Sequence, residues 1–287
     1  MRRYDVVIIG AGPSGAGAAI QSSINGLKVL LLEKDEVGGR IKLARRIENL
    51  MLDRAVDGNT AAEYLRERIY RMGINLLREE AISIKSVKDG YITYTAKDKY
   101  FSRAIILATG LIPKIPDIYG LEEMRQRGRV FFSWRDMKRE SDSPVLIIGA
   151  GEVGCDSACS LKESGFEPIL FTRSESLNVN YRLVKDIKSL GIRVIKGVLY
   201  KEIYEKSGIV ILVIERKGRV YKYRGRAILI TTGGEPNLNL LKGVPKKDLI
   251  LICGDANPAN YHQASIAFGD GINAAMRLTQ ILSGRMR

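Results

Sequence analysis

One histidine, one tryptophan and three cysteines occur in the 287 residues of this chain, and each scarcity excludes something. The lone histidine, His262, has no Cys/His cluster around it, which argues against a zinc or iron–sulfur centre. Three cysteines without a paired framework point to a reducing compartment, and we expect a cytoplasmic protein. No apolar run approaches the length of a membrane span. Residues 6–9 and 145–148 are short, apolar and followed by glycine, the pattern of buried strands. Residues 1–5 lead straight into the first strand and are too few for a signal peptide. Basic tracts interleaved with aromatics are missing too, so no nucleic-acid partner is expected.

What is abundant is positive charge. The formal net charge is +14 and the pI about 9.7. It is spread over small groups: Arg45-Arg46 and the stretches 66–71, 125–129 and 216–226. Dispersed charge reads first as a solvated surface; attraction to an acidic partner, whether a carrier protein, anionic lipid or nucleic acid, is the competing reading. The 45% apolar and 27% charged shares are ordinary for a soluble globular chain with room for two domains.

Strand-like and helix-like segments alternate. Residues 4–9, 28–33 and 104–107 read as strands, and 12–25 as a helix of small residues. Residues 61–72 form an amphipathic helical pattern with Leu65, Ile69 and Met72 on one face. Residues 81–100 read as antiparallel strands turning at Lys88-Asp89-Gly90. Pro113 and Pro116 make 111–116 a linker, unsuited to helix or central strand. The plan then restarts: strand 145–148, helix 151–164, strand 167–172, a hairpin about Lys217-Gly218, and strand 227–230. A second linker covers 234–245, and 249–283 hold a strand, a loop and a last helix. This predicts an α/β protein with two Rossmann-like, three-layer ββα dinucleotide-binding domains. The second, 113–236, is inserted into the first, made of 1–112 and 237–287.

Gly10-Ala11-Gly12-Pro13-Ser14-Gly15 follows a strand and opens a helix. Gly10 permits the tight turn, Gly12 lets backbone approach a pyrophosphate, and Gly15 allows close helix–strand packing. Glu33, with Lys34 beside it, ends the second strand, where an acid accepts hydrogen bonds from ribose. Gly149-Ala150-Gly151-Glu152-Val153-Gly154 repeats the pattern. After the next strand, Thr172 stands where an NADH site has an acid, and Arg173 follows, which tilts the choice from NADH toward NADPH. A repeat that kept its fold and lost its ligand is the alternative for this second turn.

These motifs resemble the thioredoxin-reductase-like branch of the two-dinucleotide-domain flavoproteins, over nearly the full chain. The resemblance implies FAD in the first domain. Gly38-Gly39-Arg40-Ile41 resembles the family's turn under the flavin, and Ile47-Glu48-Asn49 its Val-Glu-Asn segment. Ala108, Thr109 and Gly110 resemble its Ala-Thr-Gly strand end. Cys253-Gly254-Asp255 resembles the motif whose aspartate binds the ribityl chain, and His262-Gln263-Ala264 the Arg-Gln-Ala that meets the flavin ring. In the second domain the resemblance implies a nicotinamide dinucleotide, with Asp156 where the family often has a glutamate. It also implies a homodimer.

One feature of the family is absent. The resemblance places a Cys-x-x-Cys pair at Phe132-Ser133-Trp134-Arg135, or just after Gly39, and neither stretch holds a cysteine. Cys155 and Cys159 share a helical face and read as small buried residues. Trp134 either covers the flavin or packs at a domain boundary. The side chain of His262 either exchanges protons with the flavin or is incidental. The expected activity is an FAD-dependent NAD(P)H oxidoreductase passing electrons to an unidentified acceptor. Ferredoxin–NADP reductases of this fold lack the dithiol, so an acidic ferredoxin is one candidate; a quinone or oxygen is another. The alternatives are a disulfide reductase using Cys155 and Cys159 or partner thiols, and a non-enzymatic redox sensor.

Overall fold

A computed structural model describes residues 1–50, 55–138, 144–245 and 248–284. The chain begins with β1 (Arg2–Ile9), α1 (Pro13–Ile24) and β2 (Val29–Glu33). Strand β1 is central: residues 6–9 are at most 5% exposed, because helices or strands cover both faces. Helix α2 (Gly58–Arg71) starts earlier than its apolar periodicity suggests, because the Asp57 carboxylate accepts from the Asn59 and Thr60 N–H groups and caps it. β3 (Asn75–Arg78) follows, then an antiparallel meander of β4 (Ala81–Val87), β5 (Gly90–Thr95) and β6 (Lys99–Leu107).

β7 (Leu111–Pro113) comes next. The two prolines make it short and do not exclude it: among the described residues it pairs with another three-residue strand alone. Then come α3 (Leu121–Gln126), β8 (Val130–Phe131), β9 (Val145–Ile148), α4 (Glu152–Glu163), β10 (Pro168–Phe171), α5 (Tyr181–Ser189) and β11 (Arg193–Ile195). A second meander holds β12 (Leu199–Lys206), β13 (Ile209–Arg216) and β14 (Arg219–Gly225). After β15 (Ala227–Ile230) and β16 (Gly234–Pro236), the chain returns through β17 (Ile250–Ile252) to α6 (Ala264–Leu282).

Two compact units result. The first comprises Met1–Lys42, Arg46–Ile112 and Glu235–Arg287. Its sheet has the order β3-β2-β1-β6-β5-β4, with β17 also pairing β6. The second comprises Leu43–Arg45 and Pro113–Gly234, with a parallel sheet β11-β10-β9-β15-β8 and a separate antiparallel sheet β12-β13-β14. Each is a Rossmann-like fold with a β meander: in the first unit β5 and β4 extend the main sheet antiparallel from β6, and in the second β12-β13-β14 form a sheet of their own. The chain returns to the first unit after residue 234, two residues before the expected 236. Leu43–Arg45 falling with the second unit is not anticipated by the sequence. Within that unit Trp134 Nε1 donates to the Leu43 carbonyl at 3.2 Å, which uses the only tryptophan as a packing residue.

In the first unit α1 and α6 meet backbone to backbone. A Cβ on Gly271 would overlap the Ser14 carbonyl oxygen, and one on Gly17 would lie 2.9 Å from the Phe268 carbonyl oxygen. This contact explains why both helices are rich in Gly, Ala and Ser. No described helix is long and apolar enough to cross a membrane.

Candidate functional site: two dinucleotide cradles

Strand β1 ends at Gly10, whose φ of 100° is left-handed; a Cβ there would also overlap the Ala108 carbonyl oxygen at the end of β6. A Cβ on Gly15 would overlap the Gly10 carbonyl oxygen. Gly10 and Gly15 are therefore required by the fold itself. Gly12 is different: a Cβ there meets nothing closer than the Gly38 carbonyl oxygen at 4.0 Å. Gly12 is also the N-cap of α1, and no side chain caps that helix. An open, uncapped helix N-terminus lined by a glycine is a cradle for a phosphate anion.

Around this cradle the first unit gathers the other residues expected there. The Glu33 carboxylate accepts from the Ala11 N–H at 2.7 Å and the Asp35 N–H at 2.9 Å, which ties the end of β2 to the turn. Beside Glu33 lies a cavity of about 380 Å³, lined also by Asn59, Glu63, Arg66 and Arg78. The sequence reading missed these four; the pairing of Glu33 with Arg78 across β2 and β3 brings one of them there. Lys34 turns away from the cavity, with Nζ 3.9 Å from exposed Glu80. The Gly38 N–H donates to the Ala11 carbonyl at 2.8 Å, and the ideal Cβ of Gly39 would sit 3.4 Å from Gly12 Cα, so the second glycine turn closes on the first.

Residues far apart in sequence meet here. Asn49 Nδ2 donates to Gln263 Oε1 at 3.2 Å, and Ser265 Oγ donates to the Asn49 carbonyl at 2.6 Å. Asp255 lies between two bases: Arg40 Nη1 is 4.0 Å from one oxygen and His262 Nδ1 3.4 Å from the other. Asp270, on α6, accepts from the Gly254 N–H at 2.8 Å and from Asn260 Nδ2 at 2.5 Å, so it holds the Gly254 turn in place. Ala264 opens α6, whose N-terminus also lacks a side-chain cap. The side chains of Ser14 and Thr109 make contacts within the unit. The Ser14 side chain is buried against Gly254. Thr109 Oγ1 donates to the Asn237 carbonyl at 2.6 Å, and the Gly110 carbonyl accepts from the Asn237 N–H. Ala108 is buried against the turn.

The second unit repeats the backbone device. Gly149 has φ 110°, and its Cβ would lie 2.6 Å from the Thr231 carbonyl oxygen. A Cβ on Gly154 would overlap the Gly149 carbonyl oxygen. Around Gly151 there is nothing within 4 Å, and α4 begins there without a side-chain cap. Val153 is exposed, and Glu152 accepts from Asn180 Nδ2 at 3.2 Å. Arg173 is exposed and makes no ion pair with any described carboxylate. Glu175 lies against Gly197.

Asp156 has a partner within the unit. Its carboxylate is committed to Arg45: it accepts from the Arg45 N–H at 2.8 Å and lies 3.5 Å from Nε. Arg45 also pairs with Glu163 and Asp186. Burial pushes the Asp156 carboxyl above the ordinary carboxylate range, against the pull of Arg45. In this arrangement Asp156 anchors residues 43–45.

All three cysteines are free and fully buried. Burial pushes the Cys155 thiol up to about 11 and those of Cys159 and Cys253 up to about 12, so none is a thiolate at neutral pH. Among the described residues no cluster of His, Cys, Asp or Glu is arranged to hold a metal ion.

Two phosphate cradles, one per Rossmann-like unit, define a protein that handles two dinucleotides. The family model described as pyridine nucleotide-disulphide oxidoreductase matches residues 4–257, and the chain belongs to that family. It is an FAD-dependent NAD(P)H oxidoreductase. The thioredoxin reductase of Borreliella burgdorferi is 25% identical to it over 304 residues, covering 97% of this chain and 92% of that one. The ferredoxin–NADP reductase of Streptococcus agalactiae is 26% identical over 201 residues, covering 67% and 61%. In fold it is similar to the crystal structure of T. acidophilum thioredoxin reductase, with a TM-score of 0.89 at 23% identity over 99% of this chain and 100% of that one.

Proposed function

We propose that this enzyme takes reducing equivalents from NADPH and delivers them to an acceptor outside the chain, with no cysteine pair of its own in the route. The observation that carries this is the state of the thiols. Cys155 and Cys159 are buried, protonated at neutral pH and part of the apolar core of α4. A disulfide substrate has no thiolate here to meet. The redox chemistry belongs to FAD and the nicotinamide when they are bound; the chain supplies binding and orientation.

On this reading the Gly12 cradle and the α1 N-terminus hold the FAD pyrophosphate, and Glu33 receives the ribose hydroxyls. Asp255, steadied by Arg40 and His262, receives the ribityl hydroxyls, and the N-terminus of α6 at Ala264 faces the ring. Gly151 and α4 hold the second pyrophosphate. Arg173, exposed and without an ion pair to a described carboxylate, and Thr172 in place of an acid at the strand end favour the 2′-phosphate of NADPH over the bare ribose of NADH. An acidic carrier such as a ferredoxin suits the net charge of +14, and a relative of this chain is named for that acceptor.

Anaerobic titration of the flavin-loaded protein with NADPH and then NADH tests the reading. NADPH should bleach the flavin absorbance at lower concentration than NADH. If neither bleaches it, the second cradle is silent and the proposal fails. Cys155→Ser/Cys159→Ser protein should keep full electron transfer to a one-electron dye; loss of that transfer alongside retained flavin would restore a dithiol route.

A further inference from the structure

Gly254 takes a left-handed φ of 68°, and both of its peptide groups are held. Its N–H donates to the Asp270 carboxylate at 2.8 Å, and its carbonyl accepts from Asn260 Nδ2 at 3.2 Å. Asn260 Nδ2 also donates to Asp270 at 2.5 Å. Asp270, Gly254 and Asn260 thus form a closed ring, in which one oxygen of Asp270, Oδ2, accepts both bonds. Among the described residues no cation pairs with Asp270, and these two donors are its hydrogen-bond partners. Hydrogen bonds to a carboxylate are about twice as strong as neutral ones, so the ring is firm. The N–H and C=O of one residue fix the peptide planes on both sides of its Cα. The second of those planes leads into Asp255, whose carboxylate lies between Arg40 and His262.

Gly254 is also pressed against the first glycine turn. A Cβ on Gly254 would overlap Ser14 Oγ, and a Cβ on Gly271, next to Asp270, would overlap the Ser14 carbonyl oxygen. Ser14 is buried and stands within the turn of residues 10–15. Through this one residue the 10–15 turn, the Gly254 turn and α6 are in direct contact. Direction and distance are therefore set separately. Asp270 and Asn260 set the direction in which Asp255 leaves its turn, and Ser14 sets how far that turn stands from Gly12.

We propose that Asp270 is a positioning residue for the flavin half of FAD: through Gly254 it aims Asp255 at the ribityl chain, at a spacing from the Gly12 cradle fixed by Ser14. This rests on the reading that the first cradle takes FAD. The consequence is selective. A ligand that carries only adenosine and pyrophosphate, such as ADP, uses the Gly12 cradle and Glu33 and has no hydroxyl chain for Asp255. A ligand that also carries the ribityl chain must engage both turns at once, and gains from the second only if their geometry is right.

Calorimetric titration of the apo-protein with FAD and, separately, with ADP tests this. Asp270→Ala removes the acceptor of both bonds. Its FAD affinity should fall about tenfold or more, and its ADP affinity should match wild type. Asp270→Asn keeps a carbonyl oxygen able to accept both bonds, so it should recover most of the FAD affinity. Asn260→Ala leaves Asp270 in place and opens the ring. It should show the same split between FAD and ADP with a smaller loss, and it decides the matter if Asp270→Ala does not fold. Unchanged FAD affinity in these alanine variants overturns the proposal. So do equal losses of FAD and ADP, which would give Asp270 a role in the fold alone. An Asp270→Asn protein as weak as Asp270→Ala also overturns it, because the effect would then lie in charge and not in the two bonds. A wild type that binds FAD no tighter than ADP overturns the FAD reading itself, and the proposal with it.

Discussion

At residues 10–15 the turn is tied in by groups from the whole length of its unit, whereas at residues 149–154 it is tied by Thr231, by the Phe171 carbonyl and, through Glu152, by Asn180. The first turn receives Glu33 on Ala11, Gly38 on the Ala11 carbonyl, and Ala108 against Gly10, with Ser14 pressed on Gly254. The second has Thr231 Oγ1 donating to the Gly149 carbonyl at 2.8 Å, with exposed Val153 and exposed Arg173 nearby. One backbone device thus serves two purposes. Enclosure by several chain segments suits a cofactor that stays; an accessible cradle suits a dinucleotide that must leave after each turnover.

The sharpest way to break this comparison is to fill the structural glycines. Gly15→Ala forces a side chain into the Gly10 carbonyl, and overpacking of this kind costs about 3 kcal/mol. Purified Gly15→Ala protein should lack flavin and melt early. Gly154→Ala, with the same clash on Gly149, should keep its yellow colour and lose reduction by NADPH. Loss of flavin from both variants would mean that the two turns are not independent.

Filling the open glycines should give a smaller and cleaner effect. Gly12→Ala and Gly151→Ala meet no neighbouring atom closer than 4.0 Å, so the apo-protein melting curves should match wild type. FAD affinity should fall about 100-fold in the first, and KM for NADPH should rise about 100-fold in the second, near 2.7 kcal/mol each. An apo Gly12→Ala protein as unstable as Gly15→Ala would erase the distinction between fold and ligand glycines.

Smaller still is the effect of charge at the second cradle. Arg173→Ser removes one charge-assisted contact to a 2′-phosphate, worth about 1.5–3 kcal/mol. The kcat/KM for NADPH should drop by tenfold or more, by about that energy, with NADH unchanged. Equal losses with both dinucleotides would point to a general role for Arg173.

The mildest test uses the buried thiols of α4. Their folded pKa values, about 11 and about 12, lie above the ordinary value near 9. The folded state therefore holds these protons more tightly than the unfolded state. The stabilisation is fully present below pH 9 and is lost as pH rises through 9 toward 12. Urea melts from pH 7 to pH 11 should show this decline, and Cys155→Ser/Cys159→Ser should flatten part of it. An unchanged slope would place the alkaline loss on other groups, Tyr200 among them, whose hydroxyl burial also pushes up.

Much of this was legible in the amino-acid order. Both Gly-rich turns, the strands before them and the helices after them are local patterns, set by steric demands at a few residues. The hairpin at Lys217-Gly218 is local in the same way, since both residues adopt left-handed φ. Helix α5 and strand β12 escaped notice because their burial is partial: α5 buries only Leu183 and Ile187, and β12 only Ile203. The ribbon strand β7 was hidden by its prolines. Arg66 and Arg78 were unreadable as cavity residues, because nothing in their own neighbourhoods distinguishes them from solvated charges.

The sequence by itself determined two dinucleotide folds, one inserted into the other, and the lack of a Cys-x-x-Cys pair. These follow from local sterics and from composition. Only the tertiary structure decided that Asp156 serves Arg45, that Asp270 holds the Gly254 turn, that Asn49 meets Gln263, and that Cys155 and Cys159 are sealed in a core. Each of those depends on residues brought together from distant parts of the chain, and on burial, neither of which local sequence encodes.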